Sequence, residues 1–190
     1  MLRRARENGG GGKGLPPVEK CNPDFCGELD MVIKRDGTWF YNGTPIGRAP
    51  LVRLFSTILR KDEDGKTYLV TPVEKVGITV EDAHFLAVEM GEDEAGRLTF
   101  RTNVGDVVTV DEDHPLRFEI SGDNDELKPY VLVRGRLEAL LARPVMYELV
   151  ERGEEMNIDS TTMFAVRSGD QVFPIMPADE LAAQVAKDDA

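Results

Sequence analysis

Two prolines do most to constrain this chain, because each opens a helical stretch between short runs that read as strands. Proline fixes φ near −65° and has no N–H to leave unbonded, so it suits the first turn of a helix. After Pro50, residues Leu51, Leu54, Phe55, Ile58 and Leu59 recur at i, i+3, i+4, i+7 and i+8, which predicts one apolar helical face. Pro144 opens a second helix to about Arg152, where Val145, Leu149 and Val150 share a face with Met146 nearby. Strands are predicted over 29–35, 38–41, 67–71 and 78–80, turned at Asp36-Gly37 and Asn42-Gly43. A meander follows over 84–90, 98–102, 107–110 and 116–120, then two strands over 130–133 and 137–141 around Arg134-Gly135.

The prolines also suggest an internal repeat. Pro50 to Tyr68 spans 18 residues and Pro144 to Met163 spans 19, after which 68–80 and 163–175 are hairpins of equal length. Leu69 then matches Phe164, Ile78 matches Phe173 and Val80 matches Ile175, although two unrelated strand-helix-strand units would give the same pattern. The fold class expected is α+β, with two duplicated units of antiparallel sheet plus one helix, over 22–81 and 82–176, the second unit larger. A flexible tail over 1–21 and a helical tail over 177–190, frayed at its KDDA end, complete the expected layout.

Charge narrows the partners. The chain carries −12, and residues 1–14 hold Arg3, Arg4, Arg6 and Lys13 against Glu7, so the remainder is more acidic still. Such a body repels phosphate backbones, which argues against nucleic acid as a main partner. No run of 18 uncharged apolar residues exists, so no membrane partner is expected, and the N-terminus lacks the apolar core of a signal peptide. A cytoplasmic protein is expected. GGGGKG is not a P-loop, since Gly14 follows Lys13 where Ser or Thr is required. Cys21 and Cys26, with His84 and His114 in other segments, do not complete a zinc shell, so no metal and no cofactor are expected. The two thiols are half-buried structural residues or a redox pair of unusual spacing.

Candidate ligand residues cluster near the helix starts. Arg48 and Arg53 flank the first helix, and TPVEK places Thr71, Glu74 and Lys75 after the strand that returns from it. A helix N-terminus with an arginine fork suits a phosphate or carboxylate, while the plainer alternative pairs these arginines with surface carboxylates. Arg134 and Arg136 flank the Gly135 turn, and Arg143 precedes the second helix much as Arg48 precedes the first. Trp39, Tyr41, Tyr130 and Tyr147 offer faces for stacking a base, or serve as half-buried packing residues. Asn103 either bonds a ligand or forms the Asn-Val-Gly-Asp turn. Cys26 has no activating histidine in view, and the acidic runs 92–94 and 111–113 lack the order of a calcium loop.

The block from Cys26 to Val80, with TNVGD (102–106), PYVLVR (129–134) and RPVMYELVE (143–151), resembles the bacterial domain-of-unknown-function family 1285. His84, in DAHF, stands where that family's pattern has proline. The resemblance implies no established enzymatic activity. It implies two duplicated units, a C-terminal unit similar to pleckstrin-homology folds, and a nucleotide-like ligand site between the units with a signalling role. The expectation is thus a cytoplasmic regulatory protein binding a small anionic, nucleotide-like metabolite through Arg48, Arg53, Thr71, Glu74, Lys75, Asn103, Arg134 and Tyr147. The alternatives are a protein-interaction module with no small ligand and an enzyme of unknown reaction.

Overall fold

A computed structural model describes residues 14–121 and 126–188. Most of the expected N-terminal tail and the final two residues lie outside that range. Within the tail, Val18–Lys20 form a 3-10 turn and Val18 is buried beside Tyr68 and Val70. The Arg60 guanidinium donates to the carbonyls of Val18 and Cys21 at 2.8 and 2.7 Å, so this stretch is docked rather than free.

The first sheet begins with a meander of β1 (Phe25–Ile33), β2 (Trp39–Tyr41) and β3 (Thr44–Pro45). Asn42 and Gly43 both adopt positive φ, 48° and 74°, the two-residue turn whose twist matches an antiparallel hairpin. Next come α1 (Ala49–Thr57) and a second meander of β4 (Leu59–Lys61), β5 (Thr67–Val70) and β6 (Lys75–Val80). The spatial order is β3-β2-β1-β6-β5-β4, with β1 and β6 parallel. Phe55 of α1 stacks on Trp39, ring centroids 6.3 Å apart, which seats the helix on the sheet. The helix is shorter than its apolar spacing predicts. Leu59 leaves it for β4 and is buried there, while Leu54 is 60% exposed.

The second sheet repeats this plan with β7 (Phe85–Glu92), β8 (Leu98–Thr102), β9 (Val107–Thr109), β10 (Leu116–Ser121), β11 (Glu126–Arg134) and β12 (Leu137–Leu141). Its order is β10-β11-β12-β7-β8-β9, with β12 and β7 parallel. Written from the third strand outwards, the two orders are the same, and Phe85 opens β7 60 residues after Phe25 opens β1. Then follow α2 (Arg143–Glu151), a separate three-stranded sheet of β13 (Glu154–Ile158), β14 (Thr161–Ser168) and β15 (Gln171–Pro177), and α3 (Ala178–Asp188).

The α+β class holds, with strands outweighing helices, but two expectations change. The large sheets are mixed rather than antiparallel. Matching helix to helix sets β4–β6 against β13–β15, whereas the strand orders set β4–β6 against β10–β12, because α1 lies inside its sheet and α2 follows a finished one. Strand periodicity reports which face is buried and carries no information on which strand is the neighbour.

One contiguous core runs through both six-stranded sheets, from Met31, Ile33 and Trp39 through Phe85, Phe100 and Val131 to Leu149 and Phe173. The small sheet is pinned to it by Ser168, whose buried hydroxyl accepts from the Leu98 N–H at 2.9 Å and donates to the Val110 carbonyl at 2.7 Å. Ser168→Ala strands a buried donor and a buried acceptor. We expect a loss of about 2 kcal/mol and a melting temperature lower by roughly 4 to 8 °C. A melting temperature unchanged within about 1 °C would show that the hydroxyl is not a structural tie.

Candidate functional site

The residues singled out in the sequence fall in four places. Arg48 is the N-cap of α1, exposed and without an ion pair to any described residue. Tyr147 is exposed on α2. Thr71 organises the β5–β6 turn, its Oγ1 accepting from the Glu74 N–H at 3.1 Å, with Glu74 exposed. Lys75 there is already committed, 2.6 Å from the Asp62 carboxylate and 4.1 Å above the Tyr68 ring.

The remaining three gather at the 102–106 turn, where they tie the two sheets together. Asn103 Oδ1 accepts from the Leu86 N–H at 3.0 Å and its Nδ2 donates to the Gly37 carbonyl at 3.3 Å. Arg134 donates to Asp106 at 2.7 Å and to the Ser56 carbonyl at the end of α1 at 2.6 Å, with its guanidinium over the Phe85 ring. The Arg53 guanidinium lies against Gly105, whose φ of 94° belongs to a tight glycine turn. Arg134 and Asn103 thus spend their bonding capacity on holding the units in place.

A polar cleft of about 410 Å³ lies elsewhere, where the first sheet meets the segment leading into the second. Glu28 comes from β1, Lys61 from β4, Lys66 and Thr67 from the β4–β5 hairpin, Thr79 from β6, and Asp82 and His84 from the joining segment. Gly77 admits the Glu28 side chain, which lies where a Cβ at Gly77 would project. None of the eight residues named above lines this cleft.

His84 is its buried base, 4% exposed. Its Nδ1 accepts the backbone N–H of Glu138 at 3.3 Å, so Nε2 carries the proton and donates to Thr67 Oγ1 at 3.0 Å. Burial, reinforced by the charge of Lys61, pushes the imidazole down to about 4. With both nitrogens engaged, the ring is not a free proton acceptor. Burial works against the Asp82 carboxylate, yet the Tyr130 hydroxyl at 2.6 Å and Lys128 at 3.0 Å hold it below the ordinary range. Burial and that same carboxylate push the Tyr130 phenol upwards. Asp82 is therefore neutralised by Lys128, and what faces the cleft is Lys61 and Lys66, neither ion-paired to a described residue, against Glu28.

Sequence reasoning passed over these residues. Lys61 to Lys66 reads as a polar turn, and His84 is weighed only as a zinc ligand and as a departure from proline at the start of a strand. The usable signal was an ionisable ring directly before an apolar run, where burial must either neutralise or pair it. Among the described residues no group of three or more His, Cys, Asp or Glu is placed to hold a metal, and Cys21 and Cys26 are free thiols. Among the same residues, no helix is long and apolar enough to cross a membrane.

The state of His84 has a pH signature. The ring titrates near 6.5 in the unfolded chain and near 4 in the folded one. Between those values only the unfolded chain binds the proton, so stability is complete above pH 6.5 and is lost as pH falls towards 4, by roughly 3 kcal/mol in all. Between pH 7 and pH 5, urea unfolding of the wild type should lose about 2 kcal/mol more than His84→Asn does. Equal losses in the two proteins would mean that the ring is not held neutral.

A family model described as the N-terminal domain of a domain of unknown function, DUF1285, matches residues 16–83, and its C-terminal counterpart matches 84–175. A crystal structure of a DUF1285 family protein from Silicibacter pomeroyi DSS-3 is 47% identical, with a TM-score of 0.80 over 90% of this chain and 92% of its own. Another, from Shewanella baltica OS155, is 30% identical, with a TM-score of 0.54 over 65% of this chain and 91% of its own. No curated protein matches the chain. With family models matched over residues 16–83 and 84–175 and 47% identity to a solved member across 90% of the chain, the chain belongs to the DUF1285 family.

Proposed function

We propose that this chain is a cytoplasmic ligand-binding regulatory protein that takes a small anionic, nucleotide-like metabolite in the cleft above His84 and serves in signal transduction. The observation that carries the reading is the pair Lys61 and Lys66, two cations with no ion pair to any described residue, facing one cleft of a chain at −12. The volume of about 410 Å³ lies within the usual range of small-molecule sites. Lysine ammonium groups suit a phosphate as point charges, and Glu28 with the Thr67 and Thr79 hydroxyls suits sugar hydroxyls or an exocyclic amine. The floor is rigid, since Thr67 and Glu138 fix His84 from two different sheets. The pleckstrin-homology-like form of the C-terminal unit belongs to the same proposal, supported by a closing helix, α3, that packs on β14 and β15.

Thermal shift with a panel of mono-, di- and cyclic nucleotides, and with inorganic phosphate, tests the reading. A ligand at about 100 times its dissociation constant adds roughly 2.7 kcal/mol, a rise of roughly 5 to 11 °C at this size. The double variant Lys61→Ala, Lys66→Ala should lose the shift. Arg48→Ala should keep it, because Arg48 does not line the cleft. If no member of the panel moves the melting temperature, the cleft is not a nucleotide site, and a role through protein contacts takes its place.

A further inference from the structure

We infer a second binding site, for a soluble single-chain amphiphile with an anionic head, beside α1. It shares no lining residue with the cleft above His84. Ile33 pairs with Trp39 and Met31 with Tyr41, and residues two apart on a strand share a face, so these four side chains belong to the face that α1 covers. The cover is partial. Phe55 closes over Trp39, which is 1% exposed, whereas Tyr41 on the same face is 45% exposed. There Leu29, Met31, Tyr41, Ile46, Leu51 and Phe55 surround an open cavity of about 400 Å³ whose single polar side-chain atom is the Tyr41 hydroxyl.

The head group follows from Arg48. It is the extended N-cap residue of α1 and lies in the chain between Ile46 and Leu51, both of which line the cavity. Its guanidinium is exposed and has no ion pair to a described residue. The helix terminus itself offers little, since Pro50 has no N–H and the Leu51 and Val52 N–H groups are bonded to the Arg48 carbonyl. Recognition of an anion therefore falls to the arginine side chain, with the cavity lined by Ile46 and Leu51 on either side of it in the chain for a hydrocarbon tail. The net charge of −12 disfavours the other ways of covering an apolar hollow, because two copies repel each other and an anionic bilayer repels the chain. A dissolved single-chain carboxylate carries one charge and fits a concave site of this size.

Trp39, the sole tryptophan, stacks on the Phe55 ring that lines the cavity and so reports on its filling. Decanoate below its micelle concentration should give a saturable change in tryptophan emission with one ligand per chain. Arg48→Ala, a change at an exposed position, should weaken decanoate by tenfold to a hundredfold and leave the weaker binding of decanol unchanged. Leu51→Glu places a carboxylate in the first turn of the helix, where it is well tolerated, and should abolish decanoate binding while the variant melts as a folded protein. Lys61→Ala should have no effect, which separates this site from the cleft. The proposal is overturned by an unsaturable response in the wild type, by wild-type binding in Leu51→Glu, or by equal losses of decanoate and decanol in Arg48→Ala. A concentration-dependent dimer in sedimentation that decanoate leaves intact would overturn it as well, since a second copy would then cover the face.

Discussion

In each six-stranded sheet the first strand lies parallel beside the last, and that single pairing joins two antiparallel meanders into one surface. Parallel neighbours require a long connection, and here the connection is the other four strands of the same sheet. Everything else adapts to this closure. In the first sheet α1 fills the span between the meanders, so a helix covers the face next to Trp39. In the second, a short irregular stretch after β9 fills the same span, and α2 comes only after β12 has closed the sheet. One strand order, clothed differently twice, leaves an uncovered apolar end in the first unit and a polar hollow where the units meet.

The junction is held by polar groups that leave little unsatisfied. His84 bonds Thr67 of the first unit and Glu138 of the second. Arg134 reaches the last turn of α1, and Asn103 reaches the Asp36-Gly37 hairpin. Buried polar atoms without partners cost far more than satisfied ones return, so such a junction tolerates few alternative arrangements. Trp39 Nε1 is the exception among the described residues, a buried donor with no partner.

How much of this was legible can be judged residue by residue. The Asn42-Gly43 turn and both proline-opened helices are written in local chemistry, and they stand where that chemistry puts them. The end of α1 was not legible, because Ile58 and Leu59 continue the helical spacing while the chain has already turned into β4. The two parallel pairings were not legible either, since alternation is the same whichever strand lies alongside. Among the site candidates, Arg134 and Asn103 were chosen for chemistry that the fold spends on its own backbone. The cleft residues sit in a stretch whose composition is that of any surface turn, and only the approach of Asp82 and His84 gives Lys61 and Lys66 a common target.

The contiguous core has a consequence for how such a chain can be inherited. The N-terminal and C-terminal family models divide the sequence at residue 83, yet side chains on both sides of that point belong to one buried cluster. A gene fragment carrying either half would display, as open surface, the apolar face its sibling normally covers, an invitation to aggregation rather than a functioning module. The two halves are thus expected to travel together through evolution, because neither can bury its share of the core alone.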